Sequence, residues 1–386
     1  MRENADAART GGSPTEPMTS YVTDEMMERA VSGDRDLSAL AAVMDRVEKG
    51  GDITVALIGG SITMGTVSKG ASDEGRDPVP YAEIFRRWWE RAFPRARLHF
   101  VNAGIGGTDS YLGTHRVERD VLDRRPDVVL TEFSVNDEDT EFFRVSYNSL
   151  VRHILEAPSR PAAMLLFMGQ TNRTTARRIH ARVGEAYRLP AVSCTDVFNA
   201  MMDGGVFTAE QLSGDEVHPS ALGHAVTGEL LWRFLNRVRE EAARLRNAPV
   251  REGTEREEDK YPHARVIGAA DIVPEGSAGF SRGTGSEFYP DGWKGEGDGA
   301  EISFRLAFRT LGILFLKTVD GTSGKAEVLL DGEKRADLDA DFTGGWGNAV
   351  AAGEVFTGDA AGEHTLTVRL KEAGKKFELL GLLVSG

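Results

Sequence analysis

Between residues 21 and 247, apolar runs of strand length alternate with amphipathic segments of helical period. That alternation restricts this part of the chain to a parallel sheet with helices laid across it and right-handed crossovers. The run Ile53-Thr-Val-Ala-Leu-Ile58 is apolar almost throughout, as a strand covered on both faces must be. Further strands are predicted at 98–101, 128–131, 162–167 and 191–192, with helices at 82–92, 110–124, 141–157, 174–187 and 220–245.

Past residue 262 the helical period disappears. Segments 300–306, 326–330 and 364–370 alternate with period two, and Asp331-Gly332 between two of them is a hairpin signal. This predicts an antiparallel, jelly-roll-like β-sandwich. A chain of 386 residues is also too long for a single core, which stops growing near ~250–300 residues. The expected organisation is a disordered tail at 1–20, a catalytic α/β domain at 21–248, a charged linker at 249–262 and an accessory β-sandwich at 263–386.

The balance of 46 basic and 60 acidic residues gives a net charge of −14, which argues against nucleic-acid or anionic-membrane partners. The one cysteine, Cys194, leaves no intrachain disulfide and no multi-cysteine metal site, and its apolar flank predicts burial. Neither a secretory leader pattern nor an apolar run of ~18–20 residues is present, so a cytoplasmic protein without a membrane span is expected. No cofactor or metal is expected, and any oligomer contact is expected through the β-sandwich.

In an open parallel sheet, ligands gather beyond the carboxyl ends of the strands. The loops there read Gly59-Gly60-Ser61-Ile-Thr63, Asn102-Ala-Gly-Ile-Gly106-Gly107-Thr108, Ser134-Val-Asn136-Asp137 and, before the last helix, Asp215-Glu-Val-His218-Pro219. A serine hydroxyl becomes a nucleophile when an imidazole accepts its proton, and the imidazole needs a carboxylate to fix its tautomer. Ser61, His218 and Asp215 supply that set. Candidate oxyanion donors are the Ser61 and Gly107 backbone N–H groups and the Asn136 amide. Pro219 suits the first position of the following helix.

These blocks resemble the SGNH (GDSL-like) hydrolases over roughly residues 53–235. Ser61 matches the family's nucleophile, Gly107 its second-block glycine, Asn136 its third-block asparagine, and Asp215 with His218 its Asp-x-x-His block. Gly60 stands where the family carries aspartate, and Ser134 where it carries glycine. The resemblance implies a flavodoxin-like three-layer α/β/α fold. It also implies metal-free hydrolysis of short carboxylic esters, often O-acetyl groups on carbohydrates, through an acyl-enzyme on Ser61.

The Gly59 turn lacks the pattern of a P-loop or a dinucleotide site. An O-acyltransferase or a lipase-like esterase would use the same residues, and a carbohydrate-binding scaffold would carry them as a vestige. Gly279-Phe-Ser281-Arg-Gly283 imitates an α/β-hydrolase elbow without the strand and helix it needs, and is read as a loop. Asp137 is read as structural, Glu132 and Asp139 are without a role, and His224 is a surface or packing residue. Trp293 and Trp346, in Gly-rich loops of the second domain, either stack on sugar rings or pin those loops.

Overall fold

The computed structural model describes residues 21–31, 33, 35–71, 73, 78–245 and 258–386. The expected tail 1–20 and linker residues 249–257 lie outside them. The first domain opens with two helices, α1 (Asp24–Ala30) and α2 (Ser38–Val47). Strand β1 (Gly51–Gly59), the short helix α3 (Ser61–Met64), α4 (Tyr81–Ala92), β2 (Ala96–Gly104) and α5 (Ser110–Asp120) follow. Next come β3 (Val128–Glu132), α6 (Glu141–Glu156), β4 (Ala162–Phe167), α7 (Arg177–Ala186), β5 (Ala191–Ser193), α8 (Cys194–Asp203), α9 (Ala209–Leu212) and α10 (Ala221–Leu245). All five strands are parallel, in the order β2-β1-β3-β4-β5.

Strand β1 shows why an unbroken apolar run is needed. Ile53, Val55 and Leu57 join the core formed with α2, α4 and α10, while Ala56 and Ile58 join the opposite core with α5 and α6. Successive side chains point to opposite faces, so a strand packed on both faces has no polar position to spare. The strand order reverses at β1, whose two neighbours are β2 and β3, and the crevice at such a point is where these folds place a ligand. Five helices were not anticipated from the sequence: the four-residue α3 and α9, and α1, α2 and α8. The last begins at Cys194, directly after the three-residue β5, so no loop residues separate strand from helix. Cys194 is buried as expected, with Sγ 3.1 Å from Thr227 Oγ1, and burial pushes its thiol up to about 12.

The second domain is all antiparallel. Its strands are β6 (Arg265–Ile267), β7 (Gly276–Ala278), β8 (Phe280–Arg282), β9 (Trp293–Glu296), β10 (Glu301–Lys317), β11 (Lys325–Leu330), β12 (Glu333–Asp339), β13 (Ala349–Leu370) and β14 (Lys376–Ser385). They pair in the order β12-β11-β13-β10-β14-β9-β8, with β6 on β14 and β7 on β10. Asp331 and Gly332 form the two-residue connection between β11 and β12, with φ of 53° and 83°. Those positive angles are what the right-handed twist of a tight hairpin requires.

The two domains share a core. Along β10, Leu311, Ile313 and Phe315 point into the second domain, whereas Leu314 and Leu316 point outward to pack with Tyr111, Leu112 and Ile105 of the first. Leu380, Leu383 and Val350 complete the same cluster. Tyr261, inside the expected linker, is buried here, and its hydroxyl donates to Glu354 at 2.8 Å. The chain is therefore already packed against the first domain before the second begins. Closest approach falls at Gly312: a Cβ there would lie 2.2 Å from Tyr111 Oη and 3.0 Å from the Gly353 carbonyl. Gly312→Ala should therefore destabilise the protein by about 1–3 kcal/mol through overpacking, seen as a lower Tm in a calorimetric scan. An unchanged Tm would mean that the domains do not pack through this contact.

Candidate active site

Strand β1 ends at Gly59, and the chain turns through Gly60 into α3, so Ser61 is the first residue of a helix at the carboxyl edge of the sheet. Its Oγ lies 2.8 Å from His218 Nε2. His218 Nδ1 lies 2.8 Å from Asp215 Oδ2. The other Asp215 oxygen accepts the backbone N–H groups of Val217 at 3.0 Å and His218 at 2.7 Å. This turn is what lets side chains three positions apart meet, and Glu216 adopts φ of 68° to close it. Burial works against the Asp215 charge, but the hydrogen bonds from His218 and the loop outweigh it and hold the carboxyl below its usual range. With Nδ1–H committed to Asp215, Nε2 is left as the acceptor for the Ser61 proton.

The loop is fixed from outside as well. Ser68 Oγ donates to the His218 carbonyl, and the Ser213 and Pro219 backbones form a bridge. Helix α10 begins at Ala221 rather than at Pro219. Ser220, immediately before it, accepts the Gly223 N–H at 3.1 Å, the bond a helix cap makes.

The loops that carry the three expected oxyanion donors border this serine. The Ser61 N–H belongs to the first turn of α3, where backbone donors have no intrahelical acceptor. Gly107 adopts φ of 70°, which favours glycine, and a Cβ on the neighbouring Gly106 would stand 3.9 Å from Ser61 Cβ. Asn136 approaches Gly60 so closely that a Cβ at 60 would lie 2.1 Å from its Oδ1. A side chain at position 60 would have to displace the Asn136 amide from this position.

Beneath the site lies a buried polar layer that the sequence reading did not assign. Thr63 Oγ1 is 2.8 Å from Tyr81 Oη and 3.4 Å from Glu132 Oε2. Asn102 Nδ2 donates to the Thr63 carbonyl at 2.8 Å. His224 is fully buried rather than at the surface: Nδ1 accepts from the Tyr81 backbone N–H at 3.1 Å, and Nε2 donates to the Thr66 carbonyl at 3.0 Å. Together these bonds clamp α3 from three sides. Asp139, the other unassigned carboxylate, pairs with Arg178 at 2.7 Å on the surface.

The two tryptophans separate cleanly. Trp293 is buried in the second domain's core, 4.8 Å from Phe304, so the expectation that it contacts substrate is corrected. It sits on strand β9, whose alternate residues face that core. Trp346 is 69% exposed, and its ring lies over Gly107, where a Cβ would come within 3.0 Å of it. It stands between two clefts. One of about 320 Å³ runs over Met64, Gly106 and Phe288, and the other, of about 290 Å³, over Thr108, Lys317 and Phe342. The Ser281 motif forms strand β8, flanked by Gly279 and Gly283 at positive φ, and is no elbow.

Burial raises the Glu132 carboxyl to about 8 and the Asp109 carboxyl to about 7, with repulsion from Asp137 adding to both. The unfolded chain ionises such groups near ~4. The folded state therefore holds the extra protons between these values, and stability contributed there is lost as the pH rises through 7 and 8. Tm should fall between about pH 5 and pH 8, and fall less in Glu132→Gln. Parallel profiles for the two proteins would show that Glu132 stays ionised in the fold.

Residues 57–226 match the GDSL-like Lipase/Acylhydrolase family. Among solved structures, the chain is similar to a two-domain esterase active on acetylated mannans. Identity is 29%, the TM-score 0.84, and the match covers 93% of this chain and 98% of the other. The same esterase co-crystallised with mannopentaose gives 29% identity, a TM-score of 0.83 and the same coverage. A comparison with curated proteins finds no match. The family match and the order Ser61, Gly107, Asn136, Asp215, His218 along one sheet edge agree. The chain is a carboxylic ester hydrolase whose residues 57–226 carry a GDSL-like lipase/acylhydrolase domain, followed by an all-β second domain.

Proposed function

We propose that the protein removes O-acetyl groups from manno-oligosaccharides through an acetyl-enzyme on Ser61. The observation that carries this reading is the hydrogen-bonded relay Ser61–His218–Asp215, with a cleft lined by Met64, Gly106 and the second domain's Trp346 beside the serine turn. Its likeness along nearly the whole chain to an esterase active on acetylated mannans supports the substrate class.

Ser61 Oγ attacks the acetyl carbonyl while its proton passes to His218 Nε2. Negative charge gathers on the carbonyl oxygen, where the Ser61 and Gly107 N–H groups and the Asn136 amide meet it. Collapse breaks the bond to the sugar oxygen, which takes the proton from His218 and leaves as a hydroxyl. Water then gives a proton to Nε2, attacks the acetyl-serine, and the same proton returns to Ser61 as acetate departs. The His218 side chain is 23% exposed, which gives water a route to the imidazole. An apolar ring face such as Trp346 presents stacks against the C–H face of a pyranose, so that residue positions the sugar rather than the ester.

Acetate release from acetylated manno-oligosaccharides and from a small aryl acetate tests both parts. Ser61→Ala should lose both activities by about 10⁴-fold or more. Trp346→Ala should raise KM for the oligosaccharide by about 3–10-fold and leave the aryl acetate unaffected. Full activity in the first variant would remove the mechanism, and equal effects on both substrates in the second would remove the sugar contact.

A further inference from the structure

Two of the three oxyanion donors lie on different loops, Gly107 before α5 and Asn136 after β3. One side chain connects them. Asp137 follows Asn136 directly, and its Oδ1 accepts the Ser110 backbone N–H at 2.8 Å, three residues beyond Gly107. Its Oδ2 lies 2.8 Å from His180 Nε2, on α7. Both side chains of that pair are fully buried. The His180 ring stacks on Tyr147 with centroids 3.7 Å apart, and Tyr147 Oη meets Thr131 Oγ1 at 2.7 Å. The imidazole therefore cannot swing without breaking a packed ring pair and exposing a carboxylate to an apolar surrounding.

The Asn136 loop is closed on itself in the same place. The Asn136 and Asp137 N–H groups both donate to the Phe133 carbonyl, at 3.0 and 2.9 Å. Ser134 Oγ donates to the Met168 carbonyl at 2.8 Å, and its own carbonyl accepts the Ala176 N–H at 2.7 Å, just before α7. Loop and helix α7 thus move together, and Asp137 is the point where both are tied to the start of α5.

We infer that Asp137, locked by His180, is a positioning residue that sets the separation between the Gly107 and Asn136 oxyanion donors. The inference rests on the esterase reading of the site. The charge on the tetrahedral oxygen is met well only when both donors point at one position, and an error near ~1 Å costs about 10²-fold in rate. Asp137 touches neither substrate nor nucleophile, so its effect falls on kcat through the donors it holds.

The experiment is a double-mutant cycle on the full chain, with kcat expressed per active site titrated by a serine-directed phosphonate. Asp137→Ala should lower kcat per titrated site by about 10²-fold with KM within about twofold. Asn136→Ala should then cost only a few-fold in that background, having cost about 10²–10³-fold in the wild type. Asp137→Asn keeps an acceptor for the Ser110 N–H and should fall between wild type and Asp137→Ala. It also carries the cycle if the alanine variant does not fold. Costs that simply multiply, kcat per titrated site unchanged, or Asp137→Asn as slow as Asp137→Ala would each overturn the inference. Failure of the esterase reading would show separately, as activity persisting in Ser61→Ala.

Discussion

The register of three parallel strands brings the reacting groups together. Gly59 at the end of β1 stands beside Gly104 of β2 on one side and Glu132 of β3 on the other. The loops bearing Ser61, Gly107 and Asn136 therefore leave the sheet at one level. Glycine at two of these strand ends makes room for the helix that holds the serine. A Cβ at Gly59 would lie 2.1 Å from Thr63 Oγ1, and one at Gly104 would lie 2.2 Å from the Met64 nitrogen. Side chains there would push α3 off the sheet and carry Ser61 away from His218. The hydrogen bonds around Thr63, Tyr81 and His224 act on a helix that backbone packing has already seated.

The second domain belongs to the same unit rather than hanging from a tether. Residues 311–316 of its long strand β10 are apolar on both faces because one face fills its own core and the other covers α5. Helix α5 starts at Ser110, three residues after Gly107, so the docked sheet supports the segment that carries Gly107. The loop that places Trp346 over Gly107 comes from this same sheet. One interface thus contributes both to the rigidity of the site and to the shape of its mouth.

Much of this was legible in the sequence. Apolar run lengths located all five parallel strands; β1, β3, β4 and β5 are covered on both faces, while β2 at the sheet edge is only partly covered. The order of the four motif blocks pointed to Ser61, His218 and Asp215, which the fold brings within hydrogen-bond distance of one another, and the hairpin at Asp331-Gly332 followed from turn chemistry alone. Trp293 was misjudged because flanking glycines suggested an exposed loop, whereas the residue lies on a strand and faces inward. The apolar run 311–316 held an unread signal: in an antiparallel domain, a strand without polar alternation implies a cover on its outer face. The link from Asp137 to His180 spans 43 positions and two elements, and a lone buried histidine has no local pattern to announce it.

The proposed reaction turns on a covalent state in which an acetyl group rests on Ser61 between its two halves. Mass spectrometry of the protein quenched in acid during turnover of an aryl acetate, followed by peptide mapping, observes that state directly. The expected result is one acetyl group per chain, located on Ser61 and absent from Ser61→Ala. An acetyl group confined to another residue, or rapid turnover with no acetylated protein even when deacylation is slowed by low temperature, would contradict it.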